Sequence, residues 1–177
     1  MKQIAGILMG LITLALVEGC TDSKRPSNYN NESTVNAREE AFLKDATEAS
    51  QAVVKISDLA MSNSKDRQVI QFAKVMMDKH TQLGVDLKKL ATDNFVTSED
   101  SLNTAHQQLI TDLGKKQAKR FDKAYLQEII DEYEPEIKRY TFASHYPNAN
   151  VADFAKQKLS VLQAQLDSAK AIATVLK

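Results

Sequence analysis

The sequence has no tryptophan, one cysteine, three prolines and five glycines in 177 residues. A lone cysteine, Cys20, excludes an internal disulfide, so packing has to hold the fold. With Gly and Pro scarce and Ala, Leu, Lys, Gln, Asp and Glu abundant, the composition is that of a helical protein. Excess charge of either sign is also missing, since Lys+Arg and Asp+Glu both number 23. No long basic run follows the N-terminal segment, which argues against a nucleic-acid surface built on bulk charge. The local group Lys115, Lys116, Lys119 and Arg120 has acidic neighbours and reads as a solvated helix end. Glycine-rich phosphate loops, H-E-x-x-H, G-x-S-x-G and paired metal cysteines are all absent.

What is present begins with a leader. In Met1–Gly19, Lys2 precedes an apolar stretch from Ile4 to Val17, and small Gly19 then meets Cys20. This is the order of a secretory signal, and the stretch is shorter than the ~20 residues that a spanning helix needs. Val17-Glu18-Gly19-Cys20 resembles the lipobox of bacterial lipoproteins. That resemblance implies cleavage before Cys20, a diacylglyceryl group on its thiol, and a membrane partner reached through lipid. Acyl chains at ~0.8 kcal/mol per buried methylene give a stable anchor when two or more are present. Residues 20–36, with Ser, Asn and Pro26, are too polar to bury a core and read as a flexible tether. The expected location is the bacterial cell envelope, at the outer membrane or facing the periplasm.

From Ala37 to the end, residues 37–177, apolar residues recur at helical spacing. Phe42, Ala46, Ala49, Val53, Ile56 and Ala60 share one face; Asn63 and Ser64 interrupt the run and Asp66 is placed to cap the next helix. Val69, Ala73, Met76, His80, Leu83, Leu87 and Leu90 form a second stripe, ended by Asp93 and Asn94. A short stripe through Leu102, Leu109, Ile110 and Leu113 leads to a third long stripe, Phe121, Tyr125, Ile129, Tyr133, Ile137 and Tyr140. Pro135 inside that stripe predicts a kink or a break. After the turn His145-Tyr146-Pro147-Asn148, a fourth long stripe runs from Val151 through Ala155, Leu162, Gln165 and Ala169 to Leu176. The pattern predicts an all-α four-helix bundle with an extra short helix before the third long one.

Three polar side chains fall on inward lines of different helices: His80, Tyr133 and Gln165. Each must find a partner in the core or cost a few kcal/mol. The spacing predicts a buried polar layer in which they meet one another, a carboxylate such as Glu48 or Asp78, or water. The candidate ligands for a core metal are His80, Asp78 and Glu48, but Asp78 is two positions from His80 and so on another helix face. Tyr133 and Gln165 are poor ligands beside His and carboxylate. No Glu-x-x-His pair occurs, so no cofactor or metal is expected, and no catalytic residue.

Several segments carry a resemblance to a known family: Phe42-Leu43-Lys44-Asp45-Ala46, Met76-Met77-Asp78-Lys79-His80-Thr81, Phe121-Asp122-Lys123-Ala124-Tyr125 and Lys158 to Leu166. Together they resemble DUF4142, over roughly Ala37 to Leu176. The resemblance implies a ferritin-like four-helix domain exported to the envelope, with no defined activity. It also implies a histidine in each of three helices, of which this chain keeps His80 and carries Tyr133 and Gln165 in the other two places. Ser160 stands where the family has proline, and Pro135 is a further departure. The function expected is a lipid-anchored, non-enzymatic domain that binds an unidentified partner or contributes structure. The alternative is a ferritin-like metal-binding or oxidase domain in the periplasm. A third idea, a bundle that opens around an apolar ligand, rests on the adaptable Met76 and Met77.

Overall fold

A computed structural model describes residues 34–98 and 100–176. The leader, Cys20 and residues 20–33 of the tether lie outside the described residues. The described chain is all-helical: α1 (Ala37–Asn63), α2 (Arg67–Asp93), α3 (Thr104–Gly114), α4 (Ala118–Ala143) and α5 (Ala149–Val175). Four long helices and a short one before the third of them are the elements that the apolar stripes predict.

Local chemistry sets most of the helix ends. Asn36 caps α1 by accepting from the amides of Arg38 and Glu39, while the Glu39 carboxylate accepts from the Asn36 amide, a reciprocal capping box. Asp66, Asn103 and Asn148 cap α2, α3 and α5 by accepting backbone amides on their side-chain oxygens, without the reciprocal carboxylate. At the end of α2, Val96 N–H reaches Ala91 O at 2.9 Å and Phe95 N–H reaches Thr92 O at 3.0 Å. This closing turn places Phe95 at φ 57°, where glycine is usual. Pro135 does not break α4, which runs unbroken from Ala118 to Ala143. The proline is exposed, so the carbonyl that it leaves without a donor faces the side where water can serve.

Hydrogen bonds and ring contacts fix the topology. Ser57 meets Tyr125 and Phe42 meets Tyr140, so α4 runs antiparallel to α1. Asp86 meets Lys158, which sets α5 antiparallel to α2 below it. The ring order is therefore α1, α2, α5, α4, with α1–α2 and α4–α5 as tight hairpins. The connection from α2 to α4 crosses the bundle diagonally and carries α3, which lies on α1 and α4. Asn63 ties its far end by donating to the carbonyls of Gly114 and Lys116.

The core holds the predicted stripes, with Phe42, Ile56, Met76, Leu87, Tyr125, Ile129 and Tyr133 almost wholly buried. The end of the tether segment is fixed to the bundle: Thr34 donates to Asn94, and Glu39 accepts from the amide of Asn148 at the start of α5.

Candidate functional site

The polar centre lies halfway along the bundle. The stripe of α1 passes through Ala46, Ser50, Val53, Ser57 and Ala60, all buried, and its two serines face rings from other helices. Ser50 Oγ donates to the His80 carbonyl at 2.8 Å and sits 3.2 Å from His80 Nδ1. On the other edge of the imidazole, Nε2 is hydrogen-bonded to the Tyr133 hydroxyl, with the rings edge-on at 5.6 Å. Every proton in this chain is used when Tyr133 O–H donates to Nε2, Nδ1–H donates to Ser50 Oγ, and Ser50 O–H donates to the carbonyl. Met76 Sδ lies 3.7 Å from the Tyr133 hydroxyl. Burial lowers the His80 pKa to about 4, so the ring is neutral, as the hydrogen bonds require.

Glu136 adjoins this layer. It follows Tyr133 on the inward face of α4, buried at 7% exposure, and pairs with Arg139. Burial pushes its pKa up to about 7 against the opposing pull of Arg139. Ser50, His80, Tyr133 and Glu136 all border one narrow internal gap. Tyr140, a turn further on, packs edge-on against Phe42, and its hydroxyl has no partner among the described residues.

Gln165 departs from the expected layer. It is buried on α5, yet neither its amide nitrogen nor its oxygen has a hydrogen-bond partner among the described residues. It borders a cavity of about 200 Å³ between α2 and α5, which His80 also borders. Two of the three predicted polar residues are thus bonded together, and the third shares a cavity wall with one of them.

Neither predicted carboxylate reaches His80. Asp78 is on the exposed face of α2. Glu48 instead meets His106 on α3: His106 Nδ1 lies 2.7 Å from Glu48, and its Nε2 lies 3.2 Å from Glu132 on α4. Hydrogen bonds to Glu132 and Glu48 raise the His106 pKa to about 9 against partial burial, which makes it a cation held between two anions. His106 precedes Leu109, Ile110 and Leu113 at steps of three, four and seven, so the stripe of α3 itself marks the residue. The signal for Glu136 was similar, at three past Tyr133 and four before Tyr140, but the more apolar Ile137 competes for that line.

His80, Asp78 and Glu48 therefore do not converge, and both nitrogens of His80 are engaged. Among the described residues no group of three or more His, Cys, Asp or Glu is placed to hold a metal ion. The donors do not fit the ferritin-like metal alternative. Among the described residues no helix is long and apolar enough to cross a membrane.

Comparison with known proteins places this geometry on a shared scaffold. A DUF305 fragment from Deinococcus radiodurans superposes with TM-score 0.71 at 9% identity, over 78% of this chain and 97% of that one. A DUF305 protein from Streptomyces coelicolor superposes with TM-score 0.59 at 12% identity, over 78% and 89%. These likenesses show a common helical-bundle fold. No protein with a curated description matches the sequence. The family model for DUF4142, a domain of unknown function, matches residues 24–172, and the chain belongs to that family.

Proposed function

We propose that this chain acts as a lipid-anchored, non-enzymatic binding or structural domain of the bacterial cell envelope. The observation that carries the non-enzymatic part is the state of His80. Buried, neutral and bonded on both ring nitrogens, it has no free edge with which to act as base, nucleophile or ligand. His106 is held as a cation between two carboxylates, a structural use of charge. The anchor is supported by Val17-Glu18-Gly19-Cys20 and by the polar stretch after it. Wild-type protein should incorporate labelled palmitate and sediment with membranes, while Cys20→Ala should lose the label and become soluble. Continued membrane fractionation of Cys20→Ala would sink the anchor.

The second reading, a ferritin-like metal-binding or oxidase domain, has the topology in its favour, because two hairpins joined by one long crossover are the ferritin-like arrangement, and the lack of a converging donor set among the described residues against it. Metal analysis of the purified chain separates the two. A stoichiometric transition metal that disappears in His80→Ala would overturn the non-enzymatic reading.

A further inference from the structure

The seam between α2 and α5 holds a binding site for a small molecule bearing an amide edge, we infer, with Gln165 as the residue that recognises it. The inference rests on the binding reading above and names its ligand class.

The site starts from an unmet demand. The Gln165 side chain is buried at 9% exposure, and both its Nε2 and its Oε1 lack partners among the described residues. Buried carboxamides are ordinarily hydrogen-bonded, and one left unpaired disfavours the fold. Gln165 borders a cavity of about 200 Å³ between α2 and α5. A single water needs only ~10–15 Å³ of such space, so the cavity is far larger than one bridging water requires. An open groove runs along the same seam on the other side of Gln165, past Phe72, Val75 and Ile172. The amide therefore stands at the middle of a seam that the two hairpins leave incompletely closed.

The wall selects the ligand. Leu83, Val161 and Leu162 offer apolar surface for a body of a few carbons. Of the two lysines at the rim, Lys158 is matched by Asp86 at 2.7 Å, which also accepts from Gln82 at 2.8 Å, while Lys79 is exposed to solvent. His80 contributes only its ring, since both nitrogens are bonded to Ser50 and Tyr133. What is left unused in the buried wall is the Gln165 carboxamide, whose C=O and one of whose two N–H groups lie side by side. Their complement is a group with an adjacent acceptor and donor, which is a lactam or a primary amide. A hydrocarbon of the same shape would leave Gln165 unpaired, and a ketone would satisfy only its donor.

The test uses matched probes on the purified full chain: 2-pyrrolidinone, which has the amide edge, and cyclopentanone, which has the same ring and lacks the N–H. Binding is read from the side-chain amide signals of Gln165 in ¹⁵N-labelled protein during titration. The lactam should shift those signals saturably and bind about ten-fold or more tightly than the ketone, as a site built to pair a donor discriminates against its loss. Gln165→Leu should abolish the preference, read from the signals of neighbouring backbone amides, while raising the unfolding temperature. Val161→Phe, a change at a 46% exposed wall position, should weaken the lactam while the fold persists. Lactam and ketone binding equally, no saturable shift, or a preference that survives Gln165→Leu would each overturn the site. No lipid enters the measurement, so a negative result leaves the anchor at Cys20 standing.

Discussion

His80 and Glu136 border the same gap as Tyr133, and burial drives their proton affinities in opposite directions. His80 titrates at about 4 when folded, below its ordinary 6.5. Between those values the unfolded chain binds a proton that the folded chain refuses, so stability is whole above 6.5 and falls as pH drops. Glu136 titrates at about 7 when folded, above its ordinary 4.5. Its contribution is fully present below 4.5 and is lost as pH rises through 7. At 1.36 kcal/mol per pH unit, each group changes stability by about 2 kcal/mol between pH 7 and pH 5, with opposite signs. The wild type should thus show little change in urea-unfolding stability over that interval. In His80→Gln the Glu136 contribution is no longer opposed and acidification should stabilise the protein; in Glu136→Gln acidification should destabilise it. Parallel profiles for all three proteins would refute this pairing. His80 was legible from its stripe; its neutrality was not, because it depends on Ser50 and Tyr133 from two other helices.

At the scale of elements, α3 is the short helix of the bundle, with only 11 residues. An isolated helix of that length is marginal, so tertiary contacts have to hold it. Leu113 is its one buried residue, and His106 ties its first turn to α1 and α4 through Glu48 and Glu132. Because the His106 pKa is raised, to about 9, the clamp is fully present below its ordinary 6.5 and is released as pH rises through 9. After a discount for partial exposure, the clamp contributes about 1 kcal/mol. Amide exchange in α3 should therefore quicken several-fold, beyond the intrinsic base catalysis seen in α1, between pH 7 and pH 10. His106→Ala should show fast α3 exchange already at pH 7, and unchanged α3 protection in that variant would remove the clamp. The existence of α3 was written in its apolar period, whereas its partners lie 58 positions upstream and on the far side of a crossover. No local pattern connects them.

At the scale of the whole molecule, the two hairpins meet along two unequal seams. The α1–α4 seam is closed by Ser57–Tyr125 and Phe42–Tyr140 and is covered by α3. The α2–α5 seam leaves a cavity, an open groove and an unpaired Gln165, with Val75 and Val161 exposed at 41% and 46%. Voids forfeit packing contacts, and regions with fewer buried contacts open first. Native-state hydrogen exchange at rising urea should release residues 158–172 of α5 before residues 46–60 of α1. Simultaneous release of both would show that the seams are equally strong. This asymmetry is invisible in the stripes, since α2 and α5 carry apolar periods as regular as those of α1 and α4.

The sequence by itself determined the helices, the cap at Asp66, the inward lines and the family, because period and end chemistry are local properties of the chain. It also singled out His80, Tyr133 and Gln165 as polar groups bound for the core. Only the tertiary structure decided their fates. Two met each other and became a satisfied pair, while Gln165 was left against a cavity, because hydrogen bonding in a core depends on side-chain distances across helices that no single helix encodes.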